Sequence, residues 1–214
     1  MAVRVDLNVS LDGYASTEGG TADNPMGEDW NKLTAAYVAT RTFRERVFHD
    51  TSGKGTTGVD ERYAAAYFEG VGAEIMGAGM FGFHSFDDPD WKGWWGDEPP
   101  FRVPVFVLTH LRRDSIDMTG GTTFHFLSAT PEAVLERATA SAGGNDVRVG
   151  GGLSTVRDFL KAGLVDQLHV AIAPILLGRG INLWSDLRGF EDGYDVRTET
   201  AESGTVHVTF SRPS

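Results

Sequence analysis

The chain of 214 residues has no cysteine, which removes disulfides, thiolate metal sites and cysteine nucleophiles together. It also lacks any stretch approaching the roughly 18 apolar residues of a membrane span, and MAVRVDLNVS alternates like a strand instead of reading as a signal peptide. Positive charge is scarce: 19 Lys and Arg against 30 Asp and Glu leave a net charge of −11, which argues against a sequence-independent grip on nucleic acid. An anionic ligand would need a local attraction working against the overall field. The six histidines show no His-x-x-x-His or paired-carboxylate spacing, so no metal site is expected. There is no Gly-x-Ser-x-Gly elbow of a serine hydrolase. The expectation is a soluble cytoplasmic protein of one sizeable α/β domain spanning 1–214, without a nucleic-acid or membrane partner.

What is present centres on DVRVGGGLSTVRDFLKAGLVDQLHVAIAP, Asp146 to Pro174. A β-type run, Asp146 to Val149, meets Gly150, Gly151 and Gly152, and Leu153, Val156, Phe159 and Leu160 then fall on one helical stripe. Gly163 marks the helix stop, and Leu164 to Ala173 is a second apolar run. Strand, glycine turn, helix and strand in this order build parallel sheets. Such glycines let a backbone approach a ligand, and the helix start favours an anion such as a pyrophosphate. A tight connection is the competing reading. The pattern is neither the Rossmann fingerprint, whose third glycine is missing, nor a P-loop, whose Lys-Ser/Thr is missing.

On strand one, Val3, Val5, Leu7 and Val9 alternate with Arg4, Asp6, Asn8 and Ser10, so Asp6 and Asn8 face either a cleft or solvent. Ser10-Leu11-Asp12-Gly13 is a turn. Residues 15 to 29 form a small-residue, acidic loop, and a helix is predicted over about Asn31 to Val47, with Arg41, Arg44 and Arg46 toward its C-terminal half. A short helix over Asp60 to Phe68, capped by Asp60, precedes a strand over Val71 to Met76 and a second glycine turn, Gly77-Ala78-Gly79-Met80. Trp91, Trp94 and Trp95 lie in a loop that either covers a flat ligand or is pinned by aromatic packing. Strands follow at Pro104 to Thr109 and Thr122 to Leu127, then a helix with Thr130 as N-cap and Pro131 at its first position. Tyr194 to Thr200 and Thr205 to Ser211 are predicted to pair as a hairpin.

Six segments in this order resemble the dihydrofolate reductase-like superfamily, nearest the branch holding the riboflavin-pathway reductase domain. They are Ser10-Leu11-Asp12-Gly13, Met76-Gly77-Ala78-Gly79-Met80-Phe81, Val107-Leu108-Thr109-His110, Val149-Gly150-Gly151-Gly152, Gly163-Leu164-Val165-Asp166, and Ala173-Pro174-Ile175-Leu176-Leu177-Gly178. The resemblance implies a three-layer α/β sandwich with a mostly parallel central sheet, an antiparallel C-terminal edge, and helices on both faces. It implies NADPH as hydride donor to a C=N or C=O of a small pterin- or pyrimidine-like heterocycle. By the same resemblance Gly150, Gly151, Gly152, Leu153 and Ser154 hold the pyrophosphate, and Gly77, Gly79 and Met80 lie along the adenosine phosphates. Thr109 and His110 meet the adenine, and Ser10 and Gly13 border the nicotinamide. Relatives are often homodimers, and Val206, Val208 and Phe210 would suit pairing at an apolar edge.

Two departures bear on specificity. Many relatives carry Arg after the first glycine of the second turn, where it contacts the NADP 2′-phosphate; here Ala78 stands there, which lowers any preference for NADPH over NADH. Arg112 or Arg113 could replace it, or both are solvated. The folate carboxylate on the first helix has only Glu28 or Asp29 near its place, and Ala171 stands at the position of the substrate-side Thr. The riboflavin-pathway Lys of strand one is absent from Val5-Asp6-Leu7-Asn8, and the 214 residues do not include the deaminase domain that such reductases usually follow. The candidate proton donor is Asp6, with ordered water as the alternative, and Asn8, Asp12 and Asp29 are the candidate substrate contacts. A non-catalytic nucleotide-binding or ligand-sensing protein on the same fold is the rival reading.

Overall fold

A computed structural model of the chain describes residues 1–16, 27–82, 85 and 88–213. The core of the acidic loop expected at 15–29, residues 17–26, lies outside the described residues, as do 84, 86 and 87 of the tryptophan loop. In chain order the elements are β1 (Val3–Ser10), β2 (Tyr14–Ser16), α1 (Trp30–Leu33), α2 (Ala35–Val38), α3 (Arg41–Phe48), α4 (Val59–Phe68), β3 (Val71–Gly77), α5 (Ala78–Phe81), β4 (Pro104–Leu108) and β5 (Ile116–Asp117). They continue as β6 (Thr123–Leu127), α6 (Pro131–Ser141), β7 (Asp146–Gly151), α7 (Leu153–Lys161), β8 (Gln167–Ala173), β9 (Ile181–Asn182), β10 (Asp195–Thr200) and β11 (Val206–Ser211). The architecture is α/β. The chain divides into two compact units, Met1–Val5 with Gly70–Val165, and Asp6–Glu69 with Asp166–Ser214.

The first unit is a parallel sheet in the order β1, β7, β3, β4, β6, with β5 antiparallel on β6. Its inner strands read as apolar runs because both faces are covered. Ala73, Ile75, Val105, Val107, Val147 and Val149 are all fully buried. α7 contributes Val156, Phe159 and Leu160 to the interior, each large apolar side chain contributing about 1.5–3 kcal/mol on burial. Thr130 caps α6 by accepting from the Ala133 amide at 3.3 Å, with Pro131 in the first turn, as the sequence predicts.

The tryptophan loop is held by packing. Trp91 donates its ring N–H to the Phe81 carbonyl at 3.0 Å, and Trp91 and Trp95 pack on the core of Met76, Phe81, Phe101 and Phe124. Arg113 is drawn into the same annex, donating to the Pro89 and Trp91 carbonyls and lying over the Phe81 and Phe126 rings.

In the second unit the order is β1, β8, β11, β10, and the β11 pairings with β8 and β10 are both antiparallel. The hairpin around Ser203-Gly204 forms as predicted, but β11 is an inner strand. Val206, Val208 and Phe210 are therefore not a free edge for pairing, and Phe210 packs near Trp184, Phe190 and Tyr194.

The single helix predicted over Asn31 to Val47 is instead three short ones, α1, α2 and α3. Thr40 is extended (φ −68°, ψ 152°) and turns its hydroxyl onto the Phe43 amide, so a new helix starts where a continuous one was expected. Arg41 consequently opens α3, while Arg44 pairs with Asp50. The predicted cap of α4 is also displaced. Gly58 is the N-cap, and Asp60 lies inside the first turn, where its carboxylate has a different partner, described below. Among the described residues no helix is long and apolar enough to cross a membrane.

The least ordinary feature of the parallel sheet is charge in its interior. Glu74 on β3 and Arg148 on β7 are direct register partners, form an ion pair, and are each 1% exposed. Removing one partner strands the other charge in the sheet. Arg148→Met or Glu74→Gln is expected to cost about 3–5 kcal/mol in urea unfolding, and replacing both by apolar residues of similar volume less than either alone. Additive losses would contradict this.

Candidate functional site: a glycine-opened cleft and a buried histidine pair

The first unit carries a cleft of about 490 Å³ lined by residues that include Ala78, Thr109, His110, Ser128, Thr155 and Asp158. That volume falls within the roughly 300–1,000 Å³ of small-molecule sites. Thr109 is fixed by its amide donating to the Leu127 carbonyl, and its own hydroxyl accepts from the Leu111 amide at 3.1 Å. His110 Nδ1 and Ser128 Oγ lie 3.1 Å apart.

Three constraints shape the glycine turns. A Cβ on Gly150 would run into the Glu74 carboxylate, one on Gly77 would come within 2.5 Å of Thr155 Oγ1, and Gly151 has φ +135°. Gly79 and Gly152, by contrast, have open space where a Cβ would be. The Gly151–Gly152 peptide is cis. Gly152 is the N-cap of α7 and offers no side chain to the first turn, so the amides of Leu153, Ser154 and Thr155 stand at the positive end of the helix without a capping oxygen. Ser154 is exposed and Leu153 buried. This cradle fits a diphosphate, bound through neutral amide donors.

The cleft fits a 2′-phosphate less well. Among the described residues its lining holds no Arg or Lys and one carboxylate, Asp158. Arg113 is committed to the tryptophan annex, whereas Arg112, next in sequence to the lining residue Leu111, is exposed. Met80 packs on the aromatic core and would meet a Cβ on Gly151.

The other site residues named from the sequence lie in the second unit. Ser10 is buried, donates to Asp12 Oδ1 at 2.6 Å and accepts from the Tyr14 amide at 3.0 Å. Asp12 also accepts from the Leu177 and Gly178 amides at 3.1 and 2.7 Å. The Ser10 hydroxyl foremost, with those amides, holds its carboxyl below the usual range. Both residues thus clamp the turn whose Gly13, at φ +89°, packs against Asn182 and Trp184. Asp29 is paired with Arg179 at 2.8 Å and Lys32 at 3.3 Å, and the Arg179 guanidinium lowers its pKa. Asn8 is half-buried on β1.

Asp6 has a partner that spacing could not reveal. Its Oδ1 is 3.2 Å from His169 Nδ1, His169 Nε2 is 2.9 Å from His207 Nδ1, and His207 Nε2 is 2.9 Å from Asp60 Oδ1. The Tyr63 ring stacks on both imidazoles, with centroids at 4.4 and 4.1 Å. The only trace in the sequence is a polar residue at alternate positions of two apolar strands, and only the β8–β11 register brings them together.

Burial, ahead of any charge effect, depresses the His207 pKa below the ordinary 6.5. The unfolded chain then binds more protons than the folded one below that value, so folding stability falls as pH drops through it. Replacing His207 by Gln removes this contribution, and the slope of the melting temperature between pH 7 and 5 is expected to flatten. An unchanged slope would show that His207 is not the group being charged.

A profile of the RibD C-terminal domain matches residues 1–208 of the chain. Among curated proteins, the uncharacterized protein YyaP of Bacillus subtilis is 34% identical over 67 residues, a match covering 31% of this chain and 36% of that protein. Among solved structures, a candidate riboflavin biosynthesis protein from Shewanella sp. PV-4 aligns over 100% of both chains at 22% identity with a TM-score of 0.63. The deaminase/5-amino-6-(5-phosphoribosylamino)uracil reductase of Thermotoga maritima aligns over 99% of this chain and 56% of its own, at 15% identity and TM-score 0.52. A dihydrofolate reductase from Enterococcus faecalis, complexed with NADP(H), aligns over 100% and 97% of the two chains at 8% identity and TM-score 0.51. At these identities the likeness to the solved structures is one of fold.

Proposed function

The chain belongs to the RibD C-terminal domain family, and from that membership we propose that it is a reductase transferring a hydride from NADPH to a C=N or C=O of a small pterin- or pyrimidine-like heterocycle. The observation that carries this reading is the uncapped start of α7 beside a cleft of about 490 Å³. The bound dihydronicotinamide supplies the hydride. Everything else asked of the protein is holding, orientation and proton supply.

The Leu153, Ser154 and Thr155 amides hold the diphosphate, and Gly152 and Gly79 leave it room. Thr109, His110 and Ser128 offer hydrogen bonds to the adenosine end. The carboxylate of Asp158 suits a ribose hydroxyl and opposes a 2′-phosphate, so Arg112 is the group left to favour NADPH. Reduction of a C=N or C=O also consumes a proton, which Asp6 supplies. Asp12 and Asp29 serve by fixing their loops, through the amides of Leu177 and Gly178 and through Arg179.

Tryptophan-fluorescence titration with NADPH and with NADH tests the cofactor half. Both are expected to bind, with NADPH favoured by less than about tenfold, because one exposed ion pair contributes at most ~1 kcal/mol. Arg112→Ala should erase that preference while leaving NADH affinity unchanged. Absence of binding by either dinucleotide to folded protein would overturn the reductase reading and favour the ligand-sensing one. Asp6→Asn should leave dinucleotide affinity intact and lower kcat by roughly 10²–10⁴. Turnover that is unchanged across pH would remove Asp6 from the mechanism.

A further inference from the structure

The hydrogen bonds that link Asp6, His169, His207 and Asp60 number three, and each needs one proton. Two neutral imidazoles supply two. The chain is complete only with one proton more, and that proton has four places to be: on Asp6, on His169, on His207 or on Asp60. In each placement all three hydrogen bonds survive, with the others merely reversing direction. Starting from a proton on Asp60, His207 Nε2 takes it and releases Nδ1–H to His169 Nε2, which releases its own Nδ1–H to Asp6. The proton thereby moves from Asp60 to Asp6 with all three bonds kept; once Asp6 gives it up, two protons remain for three bonds and the Asp6–His169 bond stays open until Asp6 is reprotonated.

From these counts we propose that His169, His207 and Asp60 are positioning residues of a network that shares a single proton and keeps Asp6 in its acid form. The proposal rests on the reductase reading and adds to it what holds the proton on Asp6. The overall balance is one hydride from the dihydronicotinamide and one proton from Asp6 added across the C=N or C=O, and one proton from water then restores Asp6.

The surroundings favour one end of the network. Asp60 lies in the first turn of α4, where the helix favours a negative charge. The middle of the chain is a poor resting place for a cation, since His207 is buried and held below its ordinary pKa. The extra proton is thereby biased away from Asp60 and His207, toward the Asp6 end of the network. Tyr63 stacks on both rings and holds them parallel to within 10°, with the facing nitrogens 2.9 Å apart. The charged groups nearby cancel: Glu199 on β10, which acts on His207, is paired with Arg62 of α4 and accepts from the Tyr63 hydroxyl at 3.4 Å.

The test uses the whole chain labelled with ¹⁵N-histidine and reads the imidazole nitrogens across pH. His169 and His207 should titrate in one common transition, and Asp60→Asn should shift the nitrogens of His169, which Asp60 does not touch. In stopped-flow turnover with NADPH and a pterin or pyrimidine acceptor, Asp60→Asn and His207→Gln should lower kcat by about ten- to a hundredfold and move its pH profile. That loss is smaller than the ~10²–10⁴ of removing the acid itself. Their KM and dinucleotide affinity should stay unchanged, the affinity also serving as the control that the variants are folded. Independent titrations, a His169 blind to Asp60→Asn, or an unaltered pH profile would each overturn the shared-proton network with the reductase reading intact. A wild-type chain that binds the dinucleotide and reduces no acceptor overturns the reductase reading and the delivery role together. The common titration then still decides whether one proton is shared.

Discussion

The Glu74–Arg148 pair is the interaction from which the ligand-facing part of the first unit follows. Two opposite charges are register partners across β3 and β7 with almost no exposure, and removing either one leaves a buried charge uncompensated. Two residues further along β7, on the same face, the backbone passes the Glu74 carboxylate so closely that only glycine fits at Gly150. Gly151 then takes φ +135°, and Gly152 opens α7 with no side chain over its amides. A pair that looks like a matter of sheet stability therefore helps dictate the bare helix start. Arg4 continues the row: it faces Arg148 across β1 and β7, with Asp146 at 3.6 Å offsetting the like charges.

The second unit buries charge-bearing groups for a different purpose. A guanidinium does not release its proton in a protein, so the proton in the Arg148–Glu74 pair stays where it is. Imidazoles between two carboxylates can pass theirs along, because each ring has a nitrogen on either side. Both arrangements satisfy the rule that a buried polar group must be hydrogen-bonded. What differs is whether more than one placement of the protons satisfies it. The Arg148–Glu74 pair has one such placement, and the four-residue chain has several.

Much of the architecture is legible from local patterns, because runs such as Val105 to Leu108 and the stripe of Leu153, Val156, Phe159 and Leu160 carry their own periodicity. The errors have one cause, a side chain taken up by a hydrogen bond that periodicity does not show, local in one case and distant in the other. Thr40 breaks the expected helix by capping a new one, and Asp60 leaves the cap to Gly58 while it bonds His207, 147 positions away. Asp12 could be read as a turn residue, but its bonds to Leu177 and Gly178 span over 160 positions. The glycine turns were readable because glycine is itself the signal. The histidine pair was not, since residues 169 and 207 meet only through strand pairing.

The acidity of the chain then ceases to conflict with an anionic ligand. A net charge of −11 is felt at a site mainly through groups within the Debye length, about 8 Å at physiological ionic strength. Within that range the start of α7 presents amide dipoles with no capping oxygen, and among the described residues the cleft lining contributes a single carboxylate. The attraction comes from dipoles fixed by the fold, and it needs no basic patch. Dipoles of this kind can hold a diphosphate bridge between two nucleosides, but they do not distinguish whether a further phosphate is attached to one ribose. That distinction needs a cation in reach of the ribose. In the proposed reading that distinction rests on Asp158 in the lining and on Arg112, next in sequence to the lining residue Leu111.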